Sequence, residues 1–386
     1  MLIILADDLT GAAEIAGVCL RYGLQPHFEF ERAAKIKYAI SAKYETPDFE
    51  KNEVLIIATN IRTTADYSAI SAISEFIAKQ VDIQLFVKID SLIRGDILSI
   101  IQAITQIIPK DKIFILPANP ETGRVISNGD YCINGVKIEN TPFANEFNLS
   151  RRTSNVREII TFGHSASSVC EKLVLPDLLS NDDYFTNANL LSKNDLAVGG
   201  SVFFEAYLRT IFQNLKQVET SKSQLYNKKV LMLCGSYSSQ SRDFVVNTTD
   251  FYKQIIPHAD IALLLNDKEK MQIFTDEIAE KIKKNNRLLV AIEQREQHFG
   301  SATTIEKLFA TICKNLLARQ FIDHLFIEGG STAYACLAEC EIDTLLPEYE
   351  HSRGVVQFRV PQYRDLHITL KPGSYRWDVN LFADAG

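Results

Sequence analysis

The 386-residue chain has no apolar run approaching the ~18 residues that a membrane span needs. It lacks a G-x-x-x-x-G-K-[ST] loop and a G-x-G-x-x-G turn, so the common nucleotide-binding signatures are missing. Without H-E-x-x-H or G-x-S-x-G, zinc-protease and α/β-hydrolase chemistry have no foothold. No long block of like charge occurs: 41 Lys and Arg against 48 Asp and Glu leave −7 spread along the chain, which argues against nucleic-acid binding. Seven cysteines form an odd, scattered set. Cys336 and Cys340 fall on one expected helix with no second Cys or His pair near them, which suits small core residues better than metal ligands. The seven histidines are equally dispersed. The opening residues read as a strand, with no charged leader and no cleavage signal, so a cytoplasmic protein with reduced thiols is expected.

What is present is a soluble globular composition, 46% apolar and 23% charged, in a chain too long for one comfortable core. Apolar strands alternate with helix-period segments. Leu2–Leu5 leads into a helical pattern that runs to about Arg21. Val54–Thr59 precedes helical Ala65–Gln80, Gln84–Ile89 precedes helical Asp96–Ile108, and Ile113–Leu116 is the next strand. Asn128-Gly129 and Asn134-Gly135 are hairpin turns, so residues 119–150 form a β-rich excursion. Residues 176–200 are polar and weakly periodic and receive no assignment. Lys216–Lys229 reads as a linker. After it, Val230–Cys234, Ala259–Leu265, Leu288–Ile292 and His324–Ile327 are expected strands, and Ser301–Arg319 is the clearest helix. The expected fold class is α/β: two domains, 1–222 and 229–386, each a mainly parallel sheet flanked by helices, with a β-rich excursion in the first.

The chemistry gathers where strands end. Asp7 and Asp8 follow the first strand, where two adjacent carboxylates are costly unless a cation, a metal or a ligand hydroxyl uses them. Arg62 follows the strand at Val54–Thr59 and can fork onto a carboxylate, although a solvated surface arginine would look the same. Lys88 lies within an apolar strand, and Asp90, Ser91 and Arg94 follow it as a helix opens. That set suits a small carboxylated, hydroxyl-rich ligand; a purely structural Lys88–Asp90 pair is the plain alternative. Pro117–Arg124 is a rigid loop able to bring Asn119 and Arg124 to the same crevice. In the second half, Gly235-Ser236, Gly329-Gly330-Ser331-Thr332 and Lys371-Pro372-Gly373 each follow a strand. Singly they are turn chemistry; together they are three phosphate-compatible loops.

In this order, A-D-D-L-T-G-A at 6–12, K-x-D-S-x-x-R-G at 88–95, P-A-x-P-x-x-G-R at 117–124, Gly235-Ser236, G-G-x-T at 329–332 and K-P-G-S at 371–374 resemble the four-carbon acid sugar kinase family over nearly the whole chain. The resemblance implies an N-terminal domain that binds a sugar acid and a C-terminal domain that binds ATP. It further implies phosphorylation of threonate, erythronate or 3-oxo-tetronate at the terminal hydroxyl. On this chain it places the acid-sugar site at Asp8, Arg62, Lys88, Asp90, Ser91 and Arg94; Asp7, Thr10, Gly11 and Arg124 are further candidates for binding the acid, and Asp8 or Asp90 is the candidate proton acceptor. It places ATP on Ser236, Gly329, Gly330, Ser331, Thr332, Lys371 and Gly373. Magnesium would bridge the ATP phosphates, and no protein metal ligand is assigned. Glu14, Ile89, Leu92, Ser331 and Tyr375-Arg376 differ from the residues usual in the family.

The expected partners are thus a small sugar acid and ATP, with no nucleic acid and no membrane; a homo-oligomer stays open. A haloacid-dehalogenase-like phosphatase would need its nucleophilic Asp at Ala6, which cannot form a phospho-enzyme. A sugar-acid-binding or regulatory protein with impaired ATP turnover is the remaining alternative.

Overall fold

The computed structural model describes residues 1–30, 54–80, 83–144, 153–212, 214–218, 228–236, 238–293, 302–373, 375–378 and 381–382. The chain divides into two compact units, one of Met1–Val18, Gln25–His27 and Glu31–Gln217, the other of Cys19–Leu24, Phe28–Phe30 and Val218–Gly386. Most of the boundary expected near 220–228 lies outside the described residues.

The strands of the first sheet are β1 (Leu2–Ala6), β2 (His27–Phe30), β3 (Val54–Ala58), β4 (Gln84–Lys88), β5 (Ile113–Leu116), β9 (Leu173–Val174) and β10 (Leu196–Gly199). Their order across the sheet is β2-β3-β1-β4-β10-β5-β9. From β3 to β9 every neighbouring pair is parallel. β1, β3 and β5 are buried along their whole length, as unbroken apolar runs must be when both faces are covered. Ile70, Ile73 and Ile77 of the helix Ser68–Ala78 and Ile97, Ile101 and Ile104 of the helix Ile97–Thr105 are buried stripes, as their spacing predicts. Ala65 does not belong to the first of these. It sits in the left-handed region (φ 50°) and closes a separate four-residue turn, Ile61–Thr64.

The β-rich excursion is a three-stranded antiparallel sheet of β6 (Arg124–Ser127), β7 (Asp130–Ile133) and β8 (Val136–Lys137), turning at Asn128-Gly129 and Asn134-Gly135. The stretch 176–200 holds the helix Asn181–Asn189 and β10, which enters the sheet between β4 and β5. A four-residue strand, LAVG, is too short to show a period, so only its tertiary pairing identifies it.

The second sheet consists of β11 (Val230–Cys234), β12 (Tyr252–Ile256), β13 (Arg287–Ile292), β14 (His324–Glu328), β15 (Leu346–Ser352), β16 (Val355–Arg359) and β17 (His367–Lys371). Their order is β12-β13-β11-β14-β17-β16-β15. β12 to β17 run parallel in that order, and β16 and β15 pair antiparallel at the edge. One expectation is overturned here: Ala259–Leu265 is not a strand but lies in the helix His258–Asn266, and the strand is β12 just before it. The apolar run at 261–265 is too short for its period to distinguish strand from helix. Ser301 falls outside the described residues; the helix expected from there spans Ala302–Leu317. Cys313 and Cys336 are buried, and Cys340 caps the helix Gly330–Glu339 with its Sγ 3.6 Å from that of Cys313. No described helix is long and apolar enough to cross a membrane.

Candidate functional site

In the first sheet the chain leaves β1 for β3 on one side and β4 on the other, so a topological switch point lies at the carboxyl ends of these three strands. The register aligns the ends: Ala6 is opposite both Ala58 and Lys88. Backbone pairing continues past them, with Asp7 N–H donating to Lys88 O (3.1 Å), Thr59 N–H to Ala6 O (3.0 Å) and Arg62 N–H to Asp7 O (3.2 Å). Asp7, Asp8, Arg62, Lys88 and Asp90 are thereby held in one cluster.

Both oxygens of Asp8 are occupied. Oδ1 accepts Gly11 N–H (2.7 Å), and Oδ2 accepts the Thr10 hydroxyl (3.0 Å) and the Arg62 guanidinium. Gly11 is required by close approach, since a Cβ there would stand 2.6 Å from Asp8 Oδ1 and 3.3 Å from Lys88 Nζ. Asp90 is occupied more fully still. Arg94 grips it with Nε on Oδ2 and Nη2 on Oδ1 (2.7 Å), while Leu92 N–H (3.2 Å) and Arg94 N–H (3.3 Å) also donate to Oδ2. Arg62 Nη1 lies 3.7 Å from both Asp7 Oδ2 and Asp90 Oδ1. Asp7 differs: Oδ2 accepts Asp90 N–H (3.3 Å), and buried Oδ1 has no hydrogen-bond partner among the described residues.

The electrostatics follow from these contacts. Burial pushes both Asp8 and Asp90 up, but Arg62 and Lys88 at Asp8, and Arg94 with Arg62 at Asp90, outweigh it and hold both carboxyls below the usual range. At Asp7 burial wins over Arg62, helped by the neighbouring charges of Asp8 and Asp90, and the carboxyl is pushed up to about 7. Burial disfavours the charged forms of Arg62 and Lys88, yet the surrounding carboxylates hold both above their ordinary values.

The plain alternative, a structural Lys88–Asp90 pair, gives way to another pairing. Lys88 Nζ lies 3.2 Å from Glu14 Oε2 and donates to Ile89 O (3.0 Å), and Glu14 Oε1 accepts the Ser201 hydroxyl (2.8 Å). Sequence reasoning gave Glu14 no role, although a lysine inside an apolar strand demands an anionic partner and Glu14 lies on the helix next to it. Arg62 is not a solvated surface residue; it is turned onto Asp8, with its side chain 20% exposed. Arg124 Nη1 donates to Ser91 Oγ, and the buried Tyr131, also not anticipated, donates to Ser91 O, so the small β6-β7 sheet clamps the 90–94 turn. Asn119 caps its own turn by accepting Glu121 N–H (3.1 Å). Backbone strain accompanies both arginines: Asn60 (φ 52°) and the β-branched Ile93 (φ 57°) occupy the left-handed region just before them.

The second sheet has its own switch point, between β11 and β14. Ser236 and Ser238 donate to Gly373 O (3.3 and 2.7 Å), and Gly329 N–H donates to Lys371 O (2.9 Å), which draws the three loops together. A Cβ on Gly235 would lie 2.3 Å from Thr332 Oγ1. The helix Gly330–Glu339 starts behind Gly329 (φ 96°), and among the described residues no side chain caps it. Lys371 does not project there. It is fully buried, 3.3 Å from Glu328 Oε1, donating to Pro372 O (2.9 Å) and Tyr375 O (2.7 Å) under the Trp377 ring. Ser374 lies outside the described residues.

Comparison with known proteins follows this division. Residues 2–207 match the model of a sugar-binding N-terminal domain, and residues 231–375 match that of a nucleotide-binding C-terminal domain. The chain belongs to the four-carbon acid sugar kinase family. It is 22% identical to a 3-oxo-tetronate kinase of Brucella melitensis biotype 1, covering 98% of this chain and 94% of the relative. It is 22% identical to another of that description from Pectobacterium atrosepticum, covering 99% and 97%. Among solved structures it resembles a Salmonella typhimurium LT2 protein provisionally described as a tRNA synthase, with a TM-score of 0.75 at 15% identity over 99% of this chain and 97% of the other. A Haemophilus influenzae protein from a domain-of-unknown-function family gives 0.68 at 17% identity over 98% of each chain. These two likenesses establish the fold. The acidic cluster of the first sheet lies within the residues that match the sugar-binding model, and the glycine loops of the second lie within those that match the nucleotide-binding model.

Proposed function

We propose that the chain is an ATP-dependent kinase that phosphorylates the terminal hydroxyl of a four-carbon sugar acid of the threonate, erythronate or 3-oxo-tetronate type. The observation that carries this reading is the strand-end cluster of Asp7, Asp8 and Asp90 threaded by Arg62, Lys88 and Arg94. Carboxylates accept hydroxyls, and the two guanidinium groups, about a fifth exposed, present positive charge that a ligand carboxylate can approach. Lys88, fixed on Glu14, neutralises the cluster from beneath. Phosphoryl transfer asks for positioning, charge neutralisation and an oriented nucleophile, and such a set supplies the acceptor side of each.

The glycine loops of the second sheet suit the polyphosphate of ATP: a Cβ would fill the cradle at Gly235, and the helix behind Gly329 has no side-chain cap among the described residues, so its first-turn N–H groups suit an anion. When bound, magnesium neutralises phosphate charge; no side chain of this chain is assigned to it. One observation favours a second reading. Lys371, the cation expected at the phosphates, is committed to Glu328, which suits a sugar-acid-binding or regulatory protein with impaired ATP turnover.

ADP release measured across a panel of four-carbon acids tests the kinase. Turnover with at least one acid is expected. Calorimetric binding of an acid without binding of magnesium-ATP would overturn it in favour of the second reading.

A further inference from the structure

Within the kinase reading, some group must take the proton of the attacking hydroxyl. We propose that Asp7, through Oδ1, is this general base, and that Asp8 and Asp90 instead hold the arginines in place. The inference rests on that reading and deepens it.

The donor inventory selects among the carboxylates. Asp8 and Asp90 each have both oxygens engaged, Asp8 by Gly11, Thr10 and Arg62, Asp90 by Arg94, Leu92 and Arg62. Asp7 Oδ1 is buried, on a residue 3% exposed, and has no donor among the described residues. A buried carboxylate oxygen without a donor is costly, so the fold tolerates here what it satisfies at the two neighbouring acids. A ligand hydroxyl is the donor that would complete it.

The charged groups facing Asp7 are Arg62 after β3, Asp8 beside it, and Lys88 and Asp90 from β4 and the turn that follows. Burial and the two like charges outweigh the cations, and the carboxyl lies near 7, where a base both accepts and releases a proton readily. Asp8 and Asp90, held low, are weak bases at neutral pH. The cluster meets solvent at Arg62 and Arg94, with side chains 20% and 19% exposed. A ligand whose carboxylate approaches the exposed edges of those guanidinium groups would meet the acidic cluster with its hydroxyls.

The step balances within the two substrates. The terminal hydroxyl oxygen forms the new bond to the γ-phosphorus as the bond from that phosphorus to the β–γ bridging oxygen breaks, and ADP leaves with the electron pair. The hydroxyl proton passes to Asp7 Oδ1 and is returned to solvent after product release.

The test compares full-length wild type, Asp7→Asn, Asp7→Glu and Asp8→Asn with threonate or erythronate and magnesium-ATP. Asp7→Asn is expected to lower kcat by about 10²–10⁴-fold, the range of a lost general base, with acid affinity within about threefold of wild type. The wild-type fall in kcat/KM on the acid side of about pH 7 is expected to vanish in Asp7→Asn and to persist in Asp8→Asn, whose main effect is a raised KM. Asp7→Glu, which keeps a carboxylate, should retain that acidic fall at reduced kcat, and decides the matter should Asp7→Asn not fold. Asp7→Asn keeping a tenth or more of wild-type kcat with the acidic fall intact would overturn the proposal while leaving the kinase standing, as would an Asp7→Glu without that fall. A wild type that binds the acids and phosphorylates none overturns the kinase reading and the base with it.

Discussion

Glu14 Oε2 lies 3.2 Å from Lys88 Nζ, and both residues are buried beneath the acidic cluster of the first sheet. Removing the anion leaves an ammonium in the interior with only the more distant Asp7, Asp8 and Asp90 to compensate it. Glu14→Ala is expected to lower unfolding free energy by about 3 kcal/mol, the scale of a broken buried pair. Glu14→Gln, which keeps an acceptor for Ser201, is expected to lose less. Urea midpoints decide, and an unchanged midpoint in Glu14→Ala would mean that the pair contributes nothing.

Lys371 and Glu328 stand in register on β17 and β14, with the Trp377 indole donating to Glu328 Oε2 (2.9 Å). Burial pulls the lysine below its ordinary range, and Glu328 only partly restores it. Lys371→Met alone should cost about 3–5 kcal/mol, and the double variant Glu328→Gln/Lys371→Met distinctly less than the sum of the single changes. ATP affinity should change little in either. A tenfold or greater loss of ATP binding would show that the ammonium reaches phosphate after all.

Gly235 faces Thr332 too closely for a side chain, a Cβ lying 2.3 Å from its Oγ1. Gly235→Ala must therefore displace the loop that leads into the helix Gly330–Glu339. Magnesium-ATP affinity is expected to fall at least about tenfold, some 1.4 kcal/mol, while sugar-acid affinity stays within error. Calorimetry with each ligand separates the two; equal losses for both would indicate general unfolding.

His324 is buried against Phe326 and bonded to Thr369 Oγ1 (2.8 Å). Burial, with His351 and His367 adding to it, holds the imidazole well below its usual value, and burial likewise lowers His351 to about 4. The folded chain therefore keeps these rings neutral at pH values where the unfolded chain has protonated them. The unfolded state binds more protons, so stability is complete above about pH 6.5 and is lost as pH falls toward the folded values. His324→Phe should flatten the fall in urea midpoint between about pH 6.5 and 5 by close to one proton, leaving the contribution of His351. An unaltered slope would place the ionisation elsewhere.

Strand ends were the legible part of the site. An apolar run such as Leu2–Leu5 that gives way to Asp7-Asp8 marks a buried strand opening onto a polar turn, and Arg62 and Lys88 end or follow strands that their composition makes plain. Partner choice was not legible. Lys88 could have met Asp90 two residues on, and it meets Glu14 because the helix Leu9–Arg21 lies against β4. Lys371 read as a phosphate ligand from its place after a strand, and the fold buries it on Glu328.

By itself the sequence determined the alternation of strands and helices and the residues at each strand end. These depend on side-chain polarity and on turn chemistry within a few positions. Only the tertiary structure decided strand order, the burial of each charge and which donor each carboxylate receives. Those depend on how the folded chain brings groups together: Gly11, Thr10 and Arg62 all donate to Asp8, and none donates to Asp7 Oδ1, although the two carboxylates are chemically identical, adjacent and both buried.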